Sequence, residues 1–123
     1  ANAATFPGLK LDLKTMQAAN EVVDSLRTTG KLPSNYVTKT EARSLGWRAG
    51  KTSVPDGKII GGDVYANKGN LLPTAPGRIW YEVDINYQGA KSRSNERVIY
   101  SNDGLLYFTR DHYVNIIPAG RWK

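Results

Sequence analysis

Four side chains in the C-terminal half suit acid–base work on a phosphate: Glu82, Arg93, Arg97 and His112. They supply one carboxylate, two guanidiniums and the chain's single imidazole. Internal transesterification of RNA needs such a set. A base takes the proton of the 2′-hydroxyl, and an acid on the far side protonates the leaving 5′-oxygen. Cations hold the phosphate and stabilise the charge of the phosphorane-like transition state. Glutamate can be the base, His⁺ the acid and Arg the clamp. The nucleophile belongs to the substrate, so no Ser or Cys is required, and DNA should be inert. The scheme calls for no metal and no other cofactor.

Each residue also has an ordinary reading. A His in a turn is often just a polar surface group. Glu82 and Arg97 on neighbouring strands can form a plain cross-strand ion pair. Arg93 in a polar loop serves solubility, and the tryptophans and tyrosines pack sheets more often than they stack bases.

An antiparallel meander must bring the four together. From Arg78 to Asn86, Ile79, Tyr81, Val83 and Ile85 alternate with Arg78, Trp80, Glu82, Asp84 and Asn86. That period of two predicts a strand with one apolar and one polar face. Gln88 to Asn95 reads as a polar loop, and Arg97 to Ser101 as a strand. Asp103-Gly104 is a hairpin turn signal. Leu105 to Phe108 is the returning strand, Thr109 to Asp111 a turn, and Tyr113 to Ile117 a last strand. The polar face is expected to lie open, with the four side chains in one shallow groove.

Upstream the chain reads as helical. Leu9, Leu13, Met16, Val23 and Leu26 recur at steps compatible with one helical face. Pro7-Gly8 marks its start and Thr29-Gly30 its end. Residues 31–36 form a linker. Thr38-Lys39-Thr40-Glu41 is a capping box for a short second helix ending near Gly46. Lys39 then sits in a first helical turn, where a cation opposes the helix dipole. It is either merely solvated or kept there to meet an anion. Arg48 to Gly62 reads as loop, as do 67–70 and 74–77. Helices first and a meander after predict an α+β fold, N-terminal helices packed on a C-terminal antiparallel sheet.

Composition bounds the rest. The 123 residues predict one domain spanning 1–123. No apolar run approaches the ~20 residues of a membrane helix. With no Cys and one His, thiol catalysis, disulfides and Cys- or multi-His metal sites are excluded. A net charge of +6 favours polyanionic partners. The chain opens without Met or a signal peptide, which reads as a removed targeting segment or an excised piece.

Several segments carry a resemblance: Lys31-Leu32-Pro33-x-Asn35-Tyr36, Thr38-Lys39-x-Glu41-Ala42 and Leu45-Gly46-Trp47. Further on come Ile60-Gly61-Gly62-Asp63, Gly77-Arg78-x-Trp80, Asp84-Ile85-Asn86-Tyr87, Tyr100-Ser101 and Asp111-His112-Tyr113. In this order the chain resembles the bacterial guanyl-type microbial ribonucleases, in their barnase-like branch. The resemblance implies that family's fold and endoribonuclease activity on single-stranded RNA, with cleavage 3′ of purines, guanine preferred, and a 2′,3′-cyclic phosphate product.

It also implies roles. Glu82 falls on the general base, His112 on the general acid, and Arg93 and Arg97 on the phosphate-binding arginines, though the loop from 88 to 94 is one residue longer here. Lys39 falls on a lysine that assists at the phosphate, and Asp63 on a structural position beside the base loop. Tyr113 falls where a tyrosine packs against the bound nucleotide. Ala66, Asn67 and Lys68 fall in the base loop. There the family shows Asn-Arg-Glu-Gly and this chain has Asn67-Lys68-Gly69-Asn70, without the carboxylate, so weaker guanine preference is expected. The tail from Ile116 to Lys123 runs past the expected end and has no functional reading. The family implies secretion by a bacterium and a small acidic intracellular inhibitor of the barstar kind, and a monomer is the simplest expectation. Two rival readings are the nuclease domain of a larger secreted or contact-dependent toxin, and a non-catalytic RNA-binding module.

Overall fold

A computed structural model describes residues 13–87, 89–90 and 92–123. The predicted helix start at Pro7-Gly8 and the apolar position Leu9 lie outside the described residues. Helix α1, Leu13–Thr29, is followed by β1, Tyr36–Val37, and helix α2, Lys39–Ser44. Strands β2, Ile59–Val64, β3, Trp80–Asp84, β4, Arg97–Ser101, β5, Leu105–Thr109, and β6, Ile117–Arg121, follow. Their order in the sheet is their order in the chain. β1 pairs with β2 in parallel and every later pair is antiparallel, giving a helix-plus-mixed-sheet α+β fold.

Helix α1 buries Ala19, Val22, Val23 and Leu26 against Val83, Ile85, Val98, Leu106 and Phe108 of the sheet. Removing such side chains from water contributes roughly 1.5–3 kcal/mol each. The helix stops at Gly30, whose φ of +73° suits glycine and lets its N–H reach Leu26 O at 2.9 Å. In α2 the capping box forms: Thr38 Oγ1 accepts from Glu41 N–H at 3.2 Å, and Glu41 Oε1 accepts from Thr38 N–H at 2.8 Å.

The structure corrects the sequence reading in three places. Residues 59–62 belong to strand β2 rather than loop. Their two glycines hid the strand, yet Gly61 is required because a Cβ there would come within 2.7 Å of the Tyr36 ring. Residues 113–116 are not a strand, and the final strand is Ile117–Arg121. His112 and Tyr113 take φ of +54° and +72°, which no strand accommodates. The third correction concerns the open face. Trp80, Ile99 and Leu72 form a second small core there, flanked by Tyr65, Tyr107 and Tyr113. Only the end of that face near Glu82 and Asp84 carries the charged groups.

Candidate active site

β3 and β4 place the charged side chains by register. Glu82 and Asp84 lie on the face away from α1. Asp84 opposes Arg97 on β4, which opposes Thr109 on β5. Glu82 opposes Asp63 across the β2–β3 pair. Thus Asp63, Glu82, Asp84, Arg97 and Thr109 are brought together by strand pairing alone.

Asp84 is the hub. It is 1% exposed and holds both arginines. Arg93 binds it through Nε to Oδ2 at 2.5 Å and Nη2 to Oδ1 at 2.9 Å. Arg97 Nε makes an ion-pair contact with Oδ1 at 2.7 Å. Tyr87 adds its hydroxyl, donated to Oδ2 at 2.5 Å. Burial and the adjacent Asp84 charge push the Tyr87 phenol well above its ordinary range. The same carboxylate holds the Arg93 guanidinium firmly charged. Arg97 is 2% exposed and also donates through Nη1 to Ser94 O and Glu96 O at 2.5 and 2.9 Å. Two fixed cations thus stand on one buried anion, leaving a local surplus of positive charge.

Glu82 is not the partner of either. Among the described residues no ion pair reaches it. Its Oε1 accepts from the Tyr113 hydroxyl at 2.8 Å. This sets aside the plain Glu82–Arg97 ion pair: the arginine is committed to Asp84.

His112 is exposed at the turn after β5. Its N–H donates to Asn95 O at 2.9 Å, which ties the turn to the loop before Arg97. Thr109 Oγ1 accepts from Tyr113 N–H at 3.0 Å, and Asp111 Oδ1 accepts from Asn115 N–H at 2.9 Å. These side-chain bonds hold two consecutive left-handed residues. The rings of His112 and Tyr113 meet edge to face at 5.1 Å, so acid and base candidates both touch Tyr113.

Lys39 opens α2, and its N–H donates to Asp63 Oδ2 at 3.0 Å. Since Asp63 pairs with Glu82 across the sheet, this contact sets the helix start beside the carboxylate. Asp63 is thus a helix anchor, in keeping with the structural position the resemblance implied.

The base loop is held from within. Asn67, at φ +54°, donates through Nδ2 to Leu72 O at 3.0 Å and accepts from Leu72 N–H at 2.9 Å. Its side chain is a staple of the loop, not a hand toward a base. Ala66 and Lys68 are exposed. Gly69 stands at φ +78° with no atom within 4 Å of where its Cβ would be.

Sequence reading missed two groups. Asp84 was seen only as a neighbour of Glu82, because its pairing with Arg97 depends on the β3–β4 register. Tyr65 gave no signal, because only the folded loop brings it onto Tyr113. A cavity of about 370 Å³ beside α1, lined by Gln17, Glu21, Tyr36 and Tyr87, includes neither Glu82 nor His112 in its lining.

A family model described as ribonuclease matches residues 19–116. Ribonucleases of Bacillus intermedius and Bacillus pumilus are each 45% identical over 111 residues, covering 85% of this chain and 68% of theirs. A ribonuclease of Heyndrickxia coagulans is 48% identical over 95 residues, covering 75% of this chain and 86% of its own.

Proposed function

The chain belongs to the microbial ribonuclease family and is an endoribonuclease, and on that premise we propose that it cleaves single-stranded RNA 3′ of purines by transesterification. Glu82 takes the 2′-hydroxyl proton. The 2′-oxygen attacks phosphorus, the P–O5′ bond breaks, and His112 gives its proton to the departing 5′-oxygen. The product is a 2′,3′-cyclic phosphate, hydrolysed afterwards with the two roles exchanged. Arg93, Arg97 and Lys39 stabilise the charge added to the phosphoryl oxygens.

One observation carries this reading. Glu82 has no cationic partner among the described residues, while both arginines beside it are held on Asp84. A carboxylate paired with an arginine would be a poor base, whereas one buried aspartate shared by two arginines leaves Glu82 unpaired and the arginine pair net positive. Assigning the counter-charge to a separate buried aspartate leaves each group its own task.

Guanine is the preferred base, with relaxed discrimination. The base loop offers backbone N–H groups but no carboxylate at residues 67–70 to accept from the guanine ring N–H and amine. A missing edge contact of this kind is worth ~1–3 kcal/mol of discrimination. The +6 charge fits a small acidic inhibitor protein covering the site.

The test is cleavage of GpC, ApC, UpC and CpC in EDTA, following cyclic-phosphate product. Product from GpC with ApC close behind is the expected result. No product from any of the four, with RNA still bound, would replace this reading with a non-catalytic RNA-binding module.

A further inference from the structure

Away from the acid–base set, cations gather in one stretch of the chain. Residues 39–51 hold Lys39, Arg43, Arg48 and Lys51 against a single acid, Glu41. Arg43 and Arg48 fall outside the segments that carry the family resemblance, so they are features of this chain rather than of the shared motifs.

Helix α2 sorts these charges by face. Ala42 is buried and turned inward, in a cluster with Val37, Trp47, Val54 and Ile60. Lys39 and Arg43 are four residues apart and so are neighbours on one flank of that buried line. Glu41 stands two residues from Arg43, on the other flank, and its carboxylate is engaged by Thr38 N–H at 2.8 Å. The guanidinium of Arg43 lies over the Trp47 ring, 5.8 Å from its centroid. Arg48 donates through Nη1 to Arg43 O at 3.2 Å and to Trp47 O at 2.8 Å. Both arginines are exposed, and among the described residues neither has an ion pair. Their charge is therefore held in place without an acid to neutralise it. A side chain already ordered loses less freedom when an anion arrives.

The start of α2 is set beside the site, because Lys39 N–H is bonded to Asp63, the cross-strand neighbour of Glu82. Arg43 follows one turn on, a rise of about 6 Å along the helix, which is comparable to the step between successive phosphates of an extended RNA strand. We propose that Arg43 and Arg48 form a phosphate subsite, which holds the RNA backbone beside the scissile phosphate and makes the enzyme favour strands longer than a dinucleotide. This rests on the ribonuclease reading. Contacts to phosphate oxygens position the strand and carry no base preference.

Substrate length tests it. GpC carries only the scissile phosphate and cannot reach the subsite, whereas a single-stranded heptanucleotide with one central guanosine can. Arg43→Gln should lower kcat/KM on the heptanucleotide about 3- to 5-fold through KM, the strength of a good exposed ion pair, and change GpC less than about twofold. The slope of log kcat/KM against log salt should shrink by about 0.7, for one lost single-strand contact. The loss should be the same with adenosine in the central position. Lys123→Gln is the control for bulk charge, since Lys123 follows β6 at the sheet edge opposite β1 and α2. It should leave both substrates at the parent's rates. An equal loss from Lys123→Gln would overturn the subsite, because net charge alone would then explain the effect. A loss on GpC as large as on the heptanucleotide would also overturn it, because Arg43 would then serve the scissile phosphate. Wild-type protein that cuts neither substrate would sink the ribonuclease reading. Binding of the uncleavable 2′-deoxy heptanucleotide would still decide the subsite: weaker binding by Arg43→Gln supports it, and equal affinity overturns it.

Discussion

Arg97 Nε stands 2.7 Å from Asp84 Oδ1, with the arginine 2% and the aspartate 1% exposed. A charge pair so far from water has little slack. Coulomb attraction must repay the desolvation of both ions, and it does so only while both are present. Asp84→Asn should therefore destabilise the fold by roughly 3–5 kcal/mol, since Arg97 stays buried without its anion. Arg93 loses its forked partner at the same time, so RNA turnover should drop about a hundredfold from misplacement of the clamp. Urea unfolding and a turnover assay check both; a loss under about 1 kcal/mol would show that Asp84 is not the hub.

In the proposed mechanism Glu82 is the base and His112 the acid, and neither belongs to the buried core. Glu82→Ala and His112→Ala should each cut turnover by about 10²–10⁴-fold. The far-UV circular dichroism of both variants should match the parent. His112→Ala at the parent's rate would refute the acid assignment.

Alkaline pH should unfold the protein through its tyrosines. Burial pushes the Tyr100 phenol up to about 12. Burial raises Tyr36, Tyr87 and Tyr113 further, with help from nearby carboxylates. An acid whose folded pKa is raised binds its proton more tightly in the fold. Its contribution is whole below the unfolded value near 10 and drains away as pH climbs toward 12. Tyrosinate absorbance at 295 nm should therefore rise in two phases, the later one coinciding with loss of circular dichroism. A single transition near pH 10 with the fold intact would contradict this burial.

The tail past the site is structural. Trp122 donates through Nε1 to Ser101 O at 2.8 Å and meets the Tyr100 ring edge-on at 6.1 Å. Arg27 Nη2 donates to Arg121 O at 2.5 Å, tying the end of α1 to β6. Trp122→Ala should cost about 2 kcal/mol, less than a fully buried tryptophan because the ring is only partly buried against the core. RNA turnover below the midpoint of thermal unfolding should be the same as the parent's; reduced turnover there would give the tail a part in catalysis.

The sequence alone determined the strand containing Glu82, the strand and turn from Arg97 through Gly104, and the capping box before Lys39. Each is a local device: a period of two, a turn dipeptide, a reciprocal cap. It also carried the family, since that resides in short fixed segments. What it did not determine was pairing across distance. Whether Arg97 answers Glu82 or Asp84 depends on strand register and on which carboxylate water can reach, and neither is written in neighbouring residues. Strand β2 was lost to its glycines because a Tyr36 ring from elsewhere in the chain is the reason for Gly61. The last strand was misplaced because left-handed backbone at His112 and Tyr113 is enforced by Thr109, Asp111 and Asn95 after folding. The Tyr65–Tyr113 stack joins residues 48 positions apart, and only the folded sheet and its covering loop bring those two rings face to face.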